Sequence, residues 1–405
     1  MHRIGSRTKG RQIAIRARAA AVSALALLAL LVFSALAAAA PASSGHTGVG
    51  TAVQAAGAAA PQLASTSIVV VRRLGTQDSL WLVSASDASS IKIVDLPFRP
   101  ARVLASPDGT KVAILPAKPG ARVYVCYLLH AKLAALSFAS RGVRQIDGMT
   151  WLSATRLLVS GSGSKRAHFY PLADRLYVAT TTPGKPTVYR RLRGTEPSAA
   201  PGAKRLVYAR LRDGGAVAAQ PGARFVVESL ISLKLATGSR PHVIGRVRYV
   251  DSLDIRRFRD PAVSPDGKDV VTSTTGSDIS VSYMVRSVAT GKALHRTDTT
   301  LAGRDATAWS PVGEMVAYWG MPPASSATET DVYVYHVATK TRTSDGPFSN
   351  VAVGGLAWAP DDSLLAYSMR GLSQAADRGE LWTIDPGTSA TPTDLGQGAL
   401  PVWLP

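Results

Sequence analysis

A short basic stretch in the second half of the chain has the residue types that bind anions. Residues 245–260, GRVRYVDSLDIRRFRD, place five arginines beside Tyr249 and Phe258. A guanidinium group presents a planar fork of N–H donors that matches carboxylate and phosphate oxygens. The alternatives are a solvated loop or an edge strand protected by its charge. We predict a ligand-binding site formed by Arg246, Arg248, Tyr249, Arg256, Arg257 and Arg259.

Side chains that commonly perform catalysis do not form a recognisable motif. The seven histidines have neither helical nor zinc-finger spacing, and GSGSK at 161–165 lacks the spacing of a hydrolase nucleophile elbow. SPDGTK matches part of a sialidase Asp box but lacks its Trp, and no glycine-rich phosphate loop is present. The single cysteine, Cys126, lies in the apolar run RVYVCYLL, where we expect it to be buried. We therefore predict no catalytic residue, metal or cofactor.

A repeated turn predicts the elements that position these residues. ASPDG, VSPDG, WSPVG and WAPDD each lie between two apolar runs rich in β-branched and aromatic residues. Successive copies are 46, 48, 64, 46, 49 and 45 residues apart, a period typical of propeller blades, each a four-stranded antiparallel sheet. Aligned on the turn, the copies stand at Pro107, Ser153, Pro201, Pro265, Pro311, Pro360 and Pro405.

The chemistry of the turn explains why it recurs. Pro presets φ for the first corner, Asp accepts hydrogen bonds from nearby backbone N–H groups, and Gly adopts the positive φ that ends the turn. The turn thereby sets the register of each hairpin. A catalytic or calcium-binding role for Asp108 and Asp266 is the alternative. We expect structural roles for Pro107, Asp108, Gly109, Pro265, Asp266, Gly267, Pro311, Gly313, Pro360 and Asp361.

The two ends of the chain predict how the ring closes. The final LPVWLP is a first strand with no strand after it. SIVVVRR, SLWLVSA and IKIVD, from residue 67 onward, are second, third and fourth strands with no first strand before them. Paired together, they complete one blade and remove an open sheet edge. We predict an all-β, seven-bladed propeller over residues 67–405; the alternatives are six or eight blades, because the Ser153 and Pro201 copies diverge most.

The step of 64 residues from Pro201 to Pro265 marks one irregular repeat. Its extra length falls in 211–224 and in the arginine-rich 245–260. Long insertions in repeat proteins usually lie on one face and often bind a ligand. The predicted binding site therefore belongs to an enlarged blade.

The repeated unit, with its later Tyr-Val and Thr-Gly positions, resembles the TolB-like and WD40-like β-propeller repeats. The residues that carry the resemblance are Ser106–Gly109, Ser264–Gly267, Trp309–Gly313 and Trp358–Asp362. The resemblance covers residues 67–405 and implies the propeller fold. It implies no single function, because such propellers serve as partner-binding platforms, substrate gates and receptors.

The N-terminus has the pattern of an export signal. Basic residues up to 18 precede an apolar run over 19–40, and Ala35-Leu36-Ala37 offers a cleavage site. A run of 22 residues also suffices to span a bilayer, so residues 1–40 are a signal peptide or a signal anchor. No cysteine lies directly after the run, which argues against a bacterial lipoprotein anchor. Residues 41–66 are small, polar or Pro-broken, and we expect a flexible linker.

Charge and composition narrow the partners. The formal net charge is +19, of which six charges lie before residue 19. A basic body outside the cytoplasm suggests anionic neighbours, although a general solubility charge is the alternative. We predict an extracytoplasmic, secreted or membrane-anchored, non-enzymatic propeller. It would bind a protein, peptide or anionic envelope component through one rim or the channel mouth, as a monomer and without nucleic acid. The alternatives are a hydrolase or lyase with a site assembled at the channel mouth, and a structural or sensory ectodomain.

Overall fold

Alternating strands and tight turns make up almost all of the described chain. A computed structural model describes residues 66–163, 175–181, 187–200, 204–218, 224–236, 238–250, 258–275, 281–299, 307–320, 329–371, 379–386, 388 and 391–405. Within these residues the strands form seven four-stranded antiparallel sheets, which we number as blades 1 to 7. The predicted all-β, seven-bladed propeller is therefore confirmed. The predicted signal segment and most of the linker lie outside the described residues.

Each blade has its first strand innermost and its fourth strand outermost. Blade 1 contains β28 (Ala399–Trp403), β1 (Ser67–Leu74), β2 (Gln77–Ser84) and β3 (Ser90–Leu96). Blade 2 contains β4 (Pro100–Ala105), β5 (Lys111–Pro116), β6 (Arg122–Tyr127) and β7 (Lys132–Ser137). Blade 3 contains β8 (Gln145–Ser153), β9 (Arg156–Ser162), β10 (Arg175–Thr180) and β11 (Thr187–Arg193). Blade 4 contains β12 (Thr195–Ser198), β13 (Arg205–Ala216), β14 (Arg224–Lys234) and β15 (His242–Val250).

The last three blades repeat the same order. Blade 5 contains β16 (Arg259–Val263), β17 (Asp269–Thr275), β18 (Val281–Ser287) and β19 (Ala293–Thr299). Blade 6 contains β20 (Thr307–Trp309), β21 (Met315–Gly320), β22 (Glu329–His336) and β23 (Thr341–Ser349). Blade 7 contains β24 (Val351–Trp358), β25 (Leu365–Gly371), β26 (Glu380–Ile384) and β27 (Thr393–Gln397). Two 3-10 helices, Leu128–His130 and Ala139–Arg141, follow strands β6 and β7.

The ring closes where the two ends of the propeller meet. Strand β28 pairs antiparallel with β1, with Trp403 opposite Ile68 and Val402 opposite Val69. The Leu404 amide continues the pairing by donating to the Ser67 carbonyl, at 3.1 Å. The C-terminal strand thus completes the sheet that the N-terminal hairpin begins, as the sequence predicts.

In blades 2, 5, 6 and 7 the turns between first and second strands share one backbone hydrogen-bonding pattern, as at Ser264, whose carbonyl accepts from the Gly267 amide at 2.9 Å. At Asp266, the carboxylate accepts hydrogen bonds from the Ser264 hydroxyl at 2.7 Å and the Lys268 amide at 2.9 Å. Gly267 has φ 72° and Gly109 has φ 65°, the region that an L side chain rarely adopts. Because these turns all lie on the same rim of the ring, we call it the turn rim. The connections between second and third strands leave from the opposite rim.

Tryptophans two residues before the turn position tie neighbouring blades together. The indole N–H of Trp151 donates to the Leu104 carbonyl at 3.1 Å, and that of Trp309 donates to the Ala262 carbonyl at 2.7 Å. Trp358 makes the equivalent bond to Ala308 at 3.0 Å. In each case the acceptor lies on the first strand of the preceding blade. Each of these three indoles therefore fixes the first strand of its blade against the first strand of the preceding blade.

Most apolar side chains are buried between adjacent blades. The largest cluster joins blades 5, 6 and 7 and contains tyrosines in ring contact, among them Tyr283 and Tyr318, whose ring centroids are 4.8 Å apart and whose planes are tilted by 43°. Burying a large side chain of this kind contributes roughly 1.5–3 kcal/mol. Cys126 is fully buried as expected, and burial raises the pKa of its thiol to about 12. Among the described residues, no helix has both the length and the apolar character needed to cross a bilayer.

Candidate anion-binding site

Blade 4 departs from the other blades because its central strands are long. Strands β13 and β14 have 12 and 11 residues, whereas their counterparts in blade 6, β21 and β22, have 6 and 8. The extra residues lie at the opposite rim, where the hairpin between β13 and β14 extends the blade. The described parts of the predicted insertions are therefore continuations of strands.

Four arginines lie in two rows on one face of this extended sheet. Arg210, Ser229 and Arg246 are directly opposite one another on β13, β14 and β15. Two residues further along, Arg212, Val227 and Arg248 form the next row. Alternate residues of a strand point to the same face, so all four guanidinium groups share it. The backbone positions of the array are spaced by about 7 Å along the strands and about 10 Å across them.

The buried part of the same face packs against blade 3. Leu206 and Tyr208 precede Arg210 with the same alternation, and they contact Leu158 and Leu176. Beyond Tyr208 the strand continues into arginines, of which Arg212, Arg246 and Arg248 are exposed. We call Arg193, Arg210, Arg212, Arg246 and Arg248 the arginine face. Arg193 belongs to it because it ends β11, the outer strand of blade 3, and lines the same cavity as Arg210 and Arg212.

Local contacts hold one member of the arginine face in place. The Arg248 guanidinium lies 3.9 Å from the centre of the Phe225 ring, and its Nη2 donates to the Gly214 carbonyl at 3.1 Å. These contacts reach across β14 from β15 to β13. They leave further N–H donors of Arg248 for a ligand, since a guanidinium has five.

Arg210 is the least exposed member of the arginine face, and both burial and the neighbouring positive charges act on it. Arg210 is half-buried, and its Nε has no hydrogen-bond partner among the described residues. Burial lowers the pKa of Arg210, and the neighbouring charges of Arg212 and Arg246 lower it further. An anion placed among these groups would relieve both effects.

Tyr249 lies on the other side of the sheet from Arg246 and Arg248, so the structure does not bring it together with them. It is 8% exposed, and its hydroxyl donates to the buried Glu228 carboxylate at 3.3 Å. The second Glu228 oxygen accepts from the Phe258 amide at 3.3 Å, so this pair holds blade 4 against the start of blade 5. The strand period of two separates Tyr249 from both neighbouring arginines.

The other predicted binding residues are not placed. Arg256 and Arg257 lie outside the described residues, and Arg259 is described for its backbone in β16 but not for its side chain. Conversely, the structure adds Arg193, Arg210 and Arg212, which the sequence prediction did not include. The alternation in ARLRD at 209–213, matching that in GRVRY, is the signal for two of them.

The central channel is a second cavity of the ring. It encloses about 260 Å³ and is lined by residues from the first strand of every blade. Arg102 and Asp260 are the charged residues among those that line it, beside mainly apolar residues such as Met149 and Leu356. The nearby Glu196 carboxylate accepts the Asp260 amide at 3.0 Å. Among the described residues that line the channel, Asp260 is the only carboxylate.

Histidine, cysteine and carboxylate side chains are also dispersed elsewhere. Among the described residues, no group of three or more has the arrangement of a metal site. The residues that converge in the described structure are the arginines of blade 4. The arrangement they form suits electrostatic binding of an anion.

Several solved structures are similar to this chain at low sequence identity. TolB from Acinetobacter baumannii is 13% identical, with 84% of this chain and 82% of that chain covered and a TM-score of 0.42. A putative TolB from Agrobacterium tumefaciens is 13% identical, covering 69% and 87%, with a TM-score of 0.41. Oligogalacturonate lyase in complex with manganese is 14% identical, covering 81% and 84%, with a TM-score of 0.48. No protein-family model and no curated protein matches the sequence.

Proposed function

We propose that this protein is an extracytoplasmic, non-enzymatic binding propeller that holds an anionic cell-envelope ligand on the arginine face of blade 4. The observation that carries the proposal is the two-row array of Arg210, Arg212, Arg246 and Arg248. Four like charges on one small face repel one another, so folding alone does not favour this arrangement. A ligand of opposite charge accounts for it.

The location of the array supports a binding role. Strands β13 and β14 carry it beyond the part of the sheet that packs against blade 3, while the rest of blade 4 stays part of the ring. A rigid sheet that presents charged forks pre-organises them and reduces the entropy lost when a ligand binds. Export, cleavage or retention of residues 1–40 and a monomeric state belong to the same proposal, and they rest on the sequence pattern.

A matched pair of variants tests the proposal. The full chain, purified in mild detergent, is titrated against fluorescently labelled poly-L-glutamate and polyphosphate, and binding is followed by fluorescence polarisation. We expect saturable binding of at least one probe and a loss of about tenfold or more in the R246Q/R248Q variant. The control is R122Q/R156Q, which removes two exposed arginines from blades 2 and 3.

Two results would contradict the proposal. One is that neither polymer binds to a correctly folded chain. The other is that R122Q/R156Q weakens binding as much as R246Q/R248Q, because this would make binding a property of net charge. Circular dichroism and thermal unfolding of each variant show whether the ring is intact.

A further inference from the structure

A cavity at one edge of the arginine face has the composition of a site for a single small anion. It encloses about 480 Å³ between β11 of blade 3 and β13 of blade 4. Its residues are Leu192, Arg193, Tyr208, Arg210, Leu211, Arg212, Asp213 and Pro241. We propose that this cavity, the Arg193–Arg212 pocket, binds a phosphate monoester group. The inference rests on the proposed function, because it names the chemistry of one subsite on the same face.

The charge of the lining favours phosphate over carboxylate. Three arginines and one aspartate give a formal charge of 3 − 1 = +2. A phosphate monoester carries about −1.5 to −2 at neutral pH, whereas a carboxylate carries −1. A phosphate group therefore neutralises the pocket, and a carboxylate leaves about one positive charge uncompensated in a partly enclosed space.

The hydrogen-bonding capacity of the lining leads to the same ligand. A carboxylate has two oxygens, which one arginine fork satisfies. Three guanidinium groups border the pocket, those of Arg193, Arg210 and Arg212. The three terminal oxygens of a phosphate monoester can accept from several forks at once.

Apolar residues complete the wall of the pocket. Leu192 and Pro241 line it beside the arginines, and the buried Tyr208 forms part of its base. They give the organic part of a phosphate monoester an apolar surface to contact. The source of the phosphate is either a soluble metabolite or the headgroup of a membrane lipid, which share this chemistry.

Binding of two phosphate monoesters and one dicarboxylate tests the proposal. Glycerol 1-phosphate, and separately vesicles of phosphatidylcholine containing phosphatidic acid, are titrated against the full chain, with glutarate and pure phosphatidylcholine vesicles as controls. We expect glycerol 1-phosphate to bind more tightly than glutarate. We expect R193Q and R212Q each to weaken it by roughly tenfold to a hundredfold. If phosphatidic acid vesicles bind more tightly than glycerol 1-phosphate, the source of the phosphate is a membrane lipid. If they bind equally or more weakly, the source is a soluble metabolite.

The dependence of binding on pH provides a second readout. The second ionisation of a phosphate monoester has a pKa near 6, so its affinity should fall as the pH drops from about 7.5 to 5. Between about pH 7.5 and 6, glutarate binding should change much less, because carboxyl groups have lower pKa values and stay largely ionised over that interval. A flat profile for glycerol 1-phosphate would overturn the proposal.

The remaining outcomes separate this proposal from the proposed function. If R122Q, in blade 2, leaves glycerol 1-phosphate affinity within about threefold while R212Q weakens it by roughly tenfold to a hundredfold, the pocket is the subsite. If polymers bind through Arg246 and Arg248 but glycerol 1-phosphate binds no better than glutarate, the phosphate pocket is overturned and the anion-binding face stands. If no anion binds at all, both the phosphate pocket and the anion-binding arginine face are contradicted.

Discussion

In blade 1 the two central strands have 8 residues each, whereas the equivalent strands of blade 4 have 12 and 11. Ile68, Val69, Val70 and Val71 of blade 1 are fully buried, and they pack against blades 2 and 7. The corresponding strand of blade 4 is longer and carries Arg210 and Arg212 on one face, whereas the arginines that end the buried run of blade 1, Arg72 and Arg73, are adjacent and point to opposite faces. The end of β13 extends beyond the part of the strand that packs against blade 3, so its side chains on that face do not need to be apolar. Within one repeat, therefore, short central strands are buried and help to close the ring, whereas long central strands extend beyond the ring and present charged side chains.

The largest expected effect is on the closing strand. Trp403 is 6% exposed on β28, and Trp403→Ala should lower the free energy of unfolding by about 3–5 kcal/mol, as for other large core truncations. Chemical denaturation followed by tryptophan fluorescence measures the change, with R248Q as the blade 4 reference. Equal stability of Trp403→Ala and the wild type would contradict the closure of the ring through this strand.

The next largest effect on stability is expected at Gly194, which lies between β11 and β12 and packs closely against β13 of blade 4. A Cβ at Gly194 would overlap the Tyr208 ring and lie 2.7 Å from the Ala209 carbonyl oxygen. Gly194→Ala should therefore cost about 1–3 kcal/mol and weaken anion binding by displacing Tyr208 from the pocket.

Gly120→Ala is the matched control for this variant. The nearest atom to its Cβ would be the Lys118 carbonyl oxygen at 3.9 Å, so we expect little change. A Gly194→Ala protein that is as stable as Gly120→Ala and binds anions normally would show that Tyr208 is not constrained as described.

A smaller effect is expected at the turn that contacts the closing strand. A Cβ at Gly109 would lie 3.2 Å from the Pro405 carbonyl oxygen, so the Asp108 turn packs on the C-terminus. Burial opposes ionisation of Asp108, but hydrogen bonds from Ser106, Thr110 and Lys111 outweigh it and lower its pKa to about 2, from an ordinary 3.8. Because the folded-state pKa is depressed, this stabilisation is present above about pH 4 and is lost as the pH falls toward 2.

Asp108→Asn isolates that contribution. Since the carboxylate is partly exposed, solvent screening reduces the expected loss at pH 7 to about 1 kcal/mol. Thermal unfolding from pH 7 to 2 should show the variant and the wild type converging at the acid end. A constant difference across this range would mean that the loss comes from packing rather than from ionisation.

The smallest effect on stability should come from the arginine face. Arg212→Gln removes an exposed charge that repels Arg210, so we expect a change within about 0.5 kcal/mol, in the stabilising direction. Anion binding should fall in the same variant. A clear loss of stability without a loss of binding would make Arg212 a structural residue.

Much of the fold is predictable from the sequence because each blade repeats one hairpin. The turn at Pro107, Pro265, Pro311 and Pro360 determines the period, and the unpaired apolar run at the C-terminus predicts closure against β1. Even the divergent copy at Ser153 forms its hairpin with Arg156, since the apolar alternation on both sides is kept.

The candidate site is less accessible from sequence because it depends on pairing between distant residues. Arg246 and Arg248 can be identified by their spacing, but their partners Arg210 and Arg212 are joined to them only through the register of β13, β14 and β15. Arg193 comes from a different blade. Tyr249 shows the converse. It is adjacent to Arg248 in the sequence, and neighbouring residues of a strand point to opposite faces of the sheet.

Protection of arginines from phenylglyoxal tests the central claim most directly. The full chain is modified with and without polyphosphate, and each arginine is quantified by peptide mass spectrometry. Polyphosphate should protect Arg193, Arg210, Arg212, Arg246 and Arg248, while Arg122 and Arg156 react to the same extent in both samples. Protection spread evenly over all arginines, or confined to arginines outside blade 4 and the end of β11, would contradict the assignment of the arginine face as the binding site.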